Sequence, residues 1–164
     1  MTSPPPPAAT ATVAVRVSVP PAAAFTAFTA EIDRWWRRTP KYRQAGGAPD
    51  AAIRIEPRVG GRVFETWSDG GGAREFVLGT VRVWQPGERL VYSWRNATFA
   101  PLEETEVEVT FAAVGSGTLV TVRHRGWDAL RKDHPARHGM DDVAFARSLG
   151  LWWGEQLSAL RESV

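Results

Sequence analysis

The 164 residues carry 43% hydrophobic and 23% charged side chains and a formal net charge of +2, a balance that excludes a bulk disordered chain and gives no footing to a nucleic-acid partner. The absence of cysteine removes disulfides, thiolate nucleophiles and thiolate metal sites, and no apolar run approaches the ~18–20 residues of a membrane span. A chain of this length suits one domain, and without a basic-then-apolar N-terminal segment the expectation is a cytoplasmic protein.

Residues 1–11, MTSPPPPAATA, are rich in Pro and Ala without periodicity and read as a disordered or polyproline-like leader, so a single domain is expected over 12–164. Val13, Val15, Val17 and Val19 then alternate with Ala14, Arg16 and Ser18, the period of a half-buried strand. Pro20-Pro21 ends it and opens a helical stretch in which Phe25, Phe28, Ile32 and Trp35/Trp36 recur at helical spacing. Residues 37–50 hold turn formers and charge and predict a loop, whose length suits a cavity rim.

From residue 51 the pattern is strands: AAIRIEP, RVFETW, REFVLGTVRVW, RLVYSW, TEVEVTFAA and TLVTVRHRGW, separated by turns rich in Gly and Pro. With the first strand they make one seven-stranded antiparallel sheet. In the sixth strand Val107, Val109 and Phe111 share one face, and Glu104, Glu106 and Glu108 share the other and should be wet. Residues 128–139 read as a polar loop. From Asp141 a helix follows, with Val143, Ala146, Leu149/Gly150, Trp153, Leu157 and Leu160 as the stripe facing the sheet.

Four stretches in this order, PAAAFTAFTAEIDRWW (21–36), VGGRVFE (59–65), GTVRVWQPGERLVYSW (79–94) and VRHRGW leading to LWWGEQLSAL, resemble the SRPBCC (START/Bet v 1-like) superfamily. Within it they are most similar to the bacterial group named after the activator of Hsp90 ATPase homologues. The resemblance implies an α+β helix-grip fold: a curved antiparallel sheet around a long C-terminal helix, with short helices after the first strand. It also implies an apolar cavity for a small hydrophobic molecule, with cyclase, aromatase or hydrolase chemistry in some members. The group's name adds a chaperone or other protein partner as a further reading, and an exposed Trp152 or the outer sheet face would suit a homodimer. No cofactor is implied, and fold alone does not fix activity.

Eight tryptophans exceed what a core of this size requires, and aromatic walls suit an apolar pocket as well as they suit packing. The expected cavity takes Phe28, Trp35 and Trp36 from the first helical segment, with the two tryptophans at its mouth. The strands contribute Phe64, Tyr92, Trp94, Val107, Val109, Val122 and His124, and the last helix contributes Trp153. His124 and Tyr92 are the catalytic candidates. A pocket imidazole titrates near neutral pH and can take a proton, and a phenol can orient a ligand; the competing reading of both is packing, with the histidine satisfied by a neighbour.

His134 and His138 lie four apart near Asp133, Asp141 and Asp142, but Pro135 breaks a shared helical face, so no metal site is expected. The glycine clusters lack the lysine and the strand-to-helix setting of a phosphate loop, and no G-x-S-x-G elbow occurs. Arg34, Arg37, Arg38 and Arg43, interleaved with Trp35/Trp36, read as a solvated rim.

Overall fold

The computed structural model describes residues 9–164. Residues 1–8 of the expected leader lie outside the described residues, whereas Ala9 is buried and the first strand already starts at Ala11, so the fold begins before residue 12. The elements run β1 (Ala11–Val17), α1 (Pro21–Thr29), α2 (Ile32–Trp35), β2 (Ala52–Ile55), β3 (Arg62–Asp69), β4 (Gly72–Gln85), β5 (Arg89–Trp94), β6 (Thr105–Val114), β7 (Gly117–Arg125) and α3 (Asp142–Ser163).

All seven strands form one antiparallel sheet in the order β1-β7-β6-β5-β4-β3-β2. The register aligns Val81, Tyr92, Val107, His124 and Ala11 in one row across five strands, and because side chains alternate along each strand this whole row shares the inner face. Register shifts at Val63/Phe64 and at Val81/Val83 add local twist and help curl the sheet.

α3 lies in the curl, packed along β1 and against α2. Its start is fixed by Asp141, whose carboxylate accepts the Ala144 N–H at 2.8 Å. Its buried stripe is Phe145, Trp153, Gln156, Leu157 and Leu160. Each large apolar member contributes ~1.5–3 kcal/mol by leaving water. Val143 does not belong to that stripe: it is 74% exposed, because two residues of helix turn it ~200° from Phe145.

Two other expectations change. Glu108 is buried rather than wet, since Arg89, Arg123 and Arg125 on the two flanking strands close over it. The segment 128–139 is packed, not a solvated loop: Leu130, His134, Ala136 and Arg137 are buried, with 3-10 turns at Trp127–Ala129 and Pro135–Arg137. The His134 imidazole accepts the Ala136 N–H at 3.1 Å and meets Glu103 Oε1 at 3.1 Å.

Candidate functional site

The inner end of the sheet, α3 and the loop after α2 converge on an aromatic cluster. Trp36 contacts Trp94, Trp152 and Trp153 with ring centroids 5.6–6.0 Å apart, and Trp152 and Trp153 meet edge to face at 5.0 Å. A second group, Phe99, His124, Trp127 and Phe145, continues it, with Trp127 4.7 Å from Phe145 and 5.0 Å from His124. Such tilted and T-shaped pairs add directional attraction to area burial.

Between the two groups a pocket of about 350 Å³ remains. Its floor is Trp94 and His124; Trp127 and Phe145 form one wall, Tyr42 and Trp152 the other. At the rim stand Lys41, Gln44, Asn96, His138 and Ser148. That volume lies at the lower end of small-molecule sites and is over twice the ~150 Å³ cavity that accepts benzene.

The loop wall is held from beneath by two acids. Glu65, fully buried on β3, accepts the N–H groups of Gln44 and Ala45 at 2.9 and 3.0 Å. Asp33 accepts from Arg43 Nη1 at 3.0 Å and from the Ile53 N–H at 2.9 Å. Arg43 also donates to the carbonyls of Trp36 and Arg37, at 2.7 and 3.1 Å. Burial works against ionisation of Asp33, but the bonds from Ile53 and Arg43 outweigh it and hold the carboxyl below its ordinary value. Arg43 is therefore a buried anchor and not part of a solvated rim, whereas Arg34 and Arg38 remain exposed, with Arg38 paired to Asp33 at 2.7 Å. Neither acid carries a spacing signal in the sequence; Glu65 is distinguished only by sharing parity with Val63.

His124 is saturated. Trp153 Nε1 donates to its Nδ1 at 3.1 Å and its Nε2 lies 2.7 Å from Thr105 Oγ1. An indole N–H only donates, so Nδ1 is the bare nitrogen, Nε2 carries the proton, and Thr105 passes its own hydroxyl proton toward the Trp94 carbonyl at 3.4 Å. Burial lowers the imidazole pKa to about 3. Tyr92 is 1% exposed, its hydroxyl has no partner among the described residues, and burial pushes its pKa up.

Of the residues expected to line a cavity, Trp94 and His124 border the pocket. Phe28, Tyr92, Val107, Val109, Val122 and Trp153 are buried in the packed core beneath it. Trp35 and Trp36 are 3% and 2% exposed, beneath the mouth instead of at it, their indoles donating to the carbonyls of Ala27 and Tyr42 at 3.0 and 2.9 Å. Phe64 is on the wrong face: it alternates with buried Val63 and Glu65 and lies under the Arg62 guanidinium, 4.2 Å from ring to cation. Sequence reasoning missed Tyr42, in the segment read as loop, Trp127, at the end of the stretch read as the last strand, and Phe145, off the expected helix stripe. Among the described residues no three His, Asp or Glu side chains gather as metal ligands, and no helix is long and apolar enough to cross a membrane.

Solved structures share the fold. A Mesorhizobium loti protein, MLL2253, is 21% identical, with 92% of this chain and 94% of that one covered at a TM-score of 0.58. CV1439 from Chromobacterium violaceum is 18% identical, with 94% and 96% covered at 0.62. The Aha1 dimer from Colwellia psychrerythraea is 15% identical, with 94% of each chain covered at 0.60. No curated protein matches the sequence. The family model described as Activator of Hsp90 ATPase homolog 1-like protein matches residues 18–148, most of the domain, and with the helix-grip architecture this makes the chain a member of that family within the SRPBCC superfamily.

Proposed function

We propose that the chain binds a small hydrophobic molecule, aromatic or lipid-like, between the sheet and α3. The observation that carries this reading is the aromatic pocket of about 350 Å³, which persists although four tryptophans already fill the inner curl beside it. A carrier or sensor fits better than an enzyme of the cyclase or hydrolase kind, because both ring nitrogens of His124 are engaged and Tyr92 lies below the pocket. A cytoplasmic setting accords with this role.

The test is native mass spectrometry of freshly purified protein, then titration of tryptophan fluorescence with fatty acids, flavonoids and aromatic polyketides. Trp94, Trp127 and Trp152 border the pocket, so saturable quenching at micromolar ligand is expected. No bound mass and no response across the panel would overturn the reading.

A second reading, a module that engages a chaperone or a second copy of itself, draws on the family's description, on the dimeric Colwellia neighbour and on exposed Leu102, Val143 and Leu151. Light scattering at rising protein concentration tests self-association: a mass that stays monomeric at high micromolar protein removes the homodimer.

A further inference from the structure

One wall of the pocket is attached to the molecule differently from the others. Trp127, Ala136 and His138, which line it, belong to the connection between β7 and α3. Among the described residues, the backbone hydrogen bonds donated by residues 127–140 all end inside that connection: Ala129 to Gly126, Leu130 to Trp127, His134 to Arg131, Arg137 to His134, His138 to Pro135 and Met140 to Arg137. Its backbone is paired with no strand or helix, so it holds its own shape. Gly126 (φ 94°) and Gly139 (φ 71°) stand at its two ends, and glycine passes between positive and negative φ at little cost. A few end residues of this kind absorb the rotation in hinged closures.

Two side-chain bonds tie the connection down. Arg137 pairs with Asp142, five residues on, so that bond spans the Gly139 end and travels with it. The other reaches a distant part of the chain. His134 is fully buried and its Nδ1 accepts the Ala136 N–H at 3.1 Å, so Nε2 carries the proton and donates to Glu103 Oε1 at 3.1 Å. Glu103 is itself fixed: the same oxygen accepts the Ala100 N–H at 2.7 Å, and Arg95, just past β5, donates to the carbonyls of Phe99, Ala100 and Pro101 at 3.1–3.3 Å. The remaining hold is apolar packing, chiefly of Trp127 on Phe145, His124 and Phe99. Closure also strands two donors: the Trp127 indole N–H and Arg137 Nε are buried without a partner among the described residues, and water would satisfy both once the wall moves out.

We propose that residues 127–138 are a gate, a preformed wall that swings about Gly126 and Gly139 and is latched by the His134–Glu103 bond. This rests on the ligand-binding reading above and specifies how the pocket is entered. Small rings are enclosed with the latch closed, and neutral molecules too large for the space of about 350 Å³ bind with it open.

Breaking the latch with Glu103→Ala tests it, because Glu103 does not line the pocket. Solvent exchange of the Trp127 indole N–H, assigned with Trp127→Phe, should quicken at least about tenfold, the lower end for a bond to a charged group. The indoles of Trp35, Trp36 and Trp153, bonded to Ala27, Tyr42 and His124, should keep their rates. Glu103→Gln, which retains an acceptor, should fall between parent and Glu103→Ala. In stopped-flow fluorescence 2-naphthol should enter and leave the Glu103→Ala protein faster by the same factor, its affinity staying within about twofold of the parent's. Prodan, the same ring pair extended at both ends, should bind that variant at least about fivefold more tightly. A Trp127 rate that does not move, or that rises together with the other three indoles, overturns the gate, as do probe rates unchanged by the variant. The indole measurement needs no ligand: if it moves as expected and neither probe binds, the hinged wall stands and the ligand-binding reading falls.

Discussion

Trp153 on α3 donates its indole N–H to Nδ1 of His124 on β7 at 3.1 Å, so the helix and the sheet it lies in are joined by a hydrogen bond between two fully buried rings. The bond fixes the tautomer of His124 and thereby the direction of its second bond, to Thr105 on β6. Helix, seventh strand and sixth strand are thus locked through one imidazole that must stay neutral.

A pH dependence follows from that requirement. The folded pKa of His124 is held down to about 3 by burial, against ~6.5 in an unfolded chain. The unfolded chain therefore takes up the proton first as pH falls: the stabilising contribution is complete above about 6.5 and is lost progressively toward pH 3, at ~1.4 kcal/mol per pH unit once the unfolded imidazole is protonated. Glu108 and Asp33, whose carboxyls are also lowered, add their losses only below about pH 5. Urea unfolding between pH 7 and 5 should show the decline, and His124→Phe, though less stable at pH 7, should flatten it. A slope unchanged by the substitution would place the proton uptake elsewhere.

The pocket wall can be loosened without dismantling the sheet. Glu65 holds the N–H groups of Gln44 and Ala45, and its loss leaves two backbone donors unpaired at ~1–3 kcal/mol each if they stay buried. Glu65→Ala should lower global stability by about 2–3 kcal/mol. Amide exchange over residues 41–48 should rise far more than over β5–β7, and ligand affinity should fall with it. Uniform acceleration across the sheet would show that Glu65 supports the whole fold instead of the wall.

Much of the architecture is legible in the sequence because the sheet obeys a period of two: the parity of Tyr92, Val107 and His124 puts them on one face, and the register aligns them in one row. The site is less legible, because what decides it is non-local. Glu108 is a wet residue by strand parity and a buried one by its cross-strand arginines. Arg43 reads as surface charge, yet its guanidinium is fully buried against Asp33 and two carbonyls. Tyr42 lies in a segment without periodicity, and Trp127 sits in the 3-10 turn past the point where the last strand ends, so only the folded chain shows that both side chains turn inward.

The outer face of the sheet carries its own coupled charges. Glu108 accepts from Arg89 Nε at 2.7 Å, with Arg125 and Arg123 at 3.5 and 3.6 Å, and Arg125 also pairs with Glu106 at 2.5 Å. Burial opposes ionisation of Glu108, but the Arg89 bond and the three positive charges prevail and hold its carboxyl below the ordinary value. Glu108→Gln keeps the shape and removes the charge, leaving three arginines to repel one another. Half-exposed pairs are weakened by solvent, so a loss of about 1–2 kcal/mol is expected. It should grow smaller in 1 M NaCl, which screens the repulsion. A salt-independent loss would point to packing in place of charge.

Two glycines make opposite predictions. At Gly79, where β4 crosses close over β5, a Cβ would collide with the Ser93 carbonyl oxygen, and the next residue's N–H donates to the Ser93 hydroxyl at 2.9 Å, so the strands cannot part without losing that bond. Gly79→Ala should cost about 2–3 kcal/mol. Gly154 sits inside α3 with no atom within 4 Å of a Cβ placed there, and an alanine would restrict the unfolded chain and suit the helix, stabilising by about 0.5–1 kcal/mol. Thermal unfolding should therefore move in opposite directions for the two variants. A Gly154→Ala protein that melts lower would mean that this helix face meets a partner surface with no room for the added methyl, and a dimer whose dissociation constant rises in the same variant would locate that surface on α3.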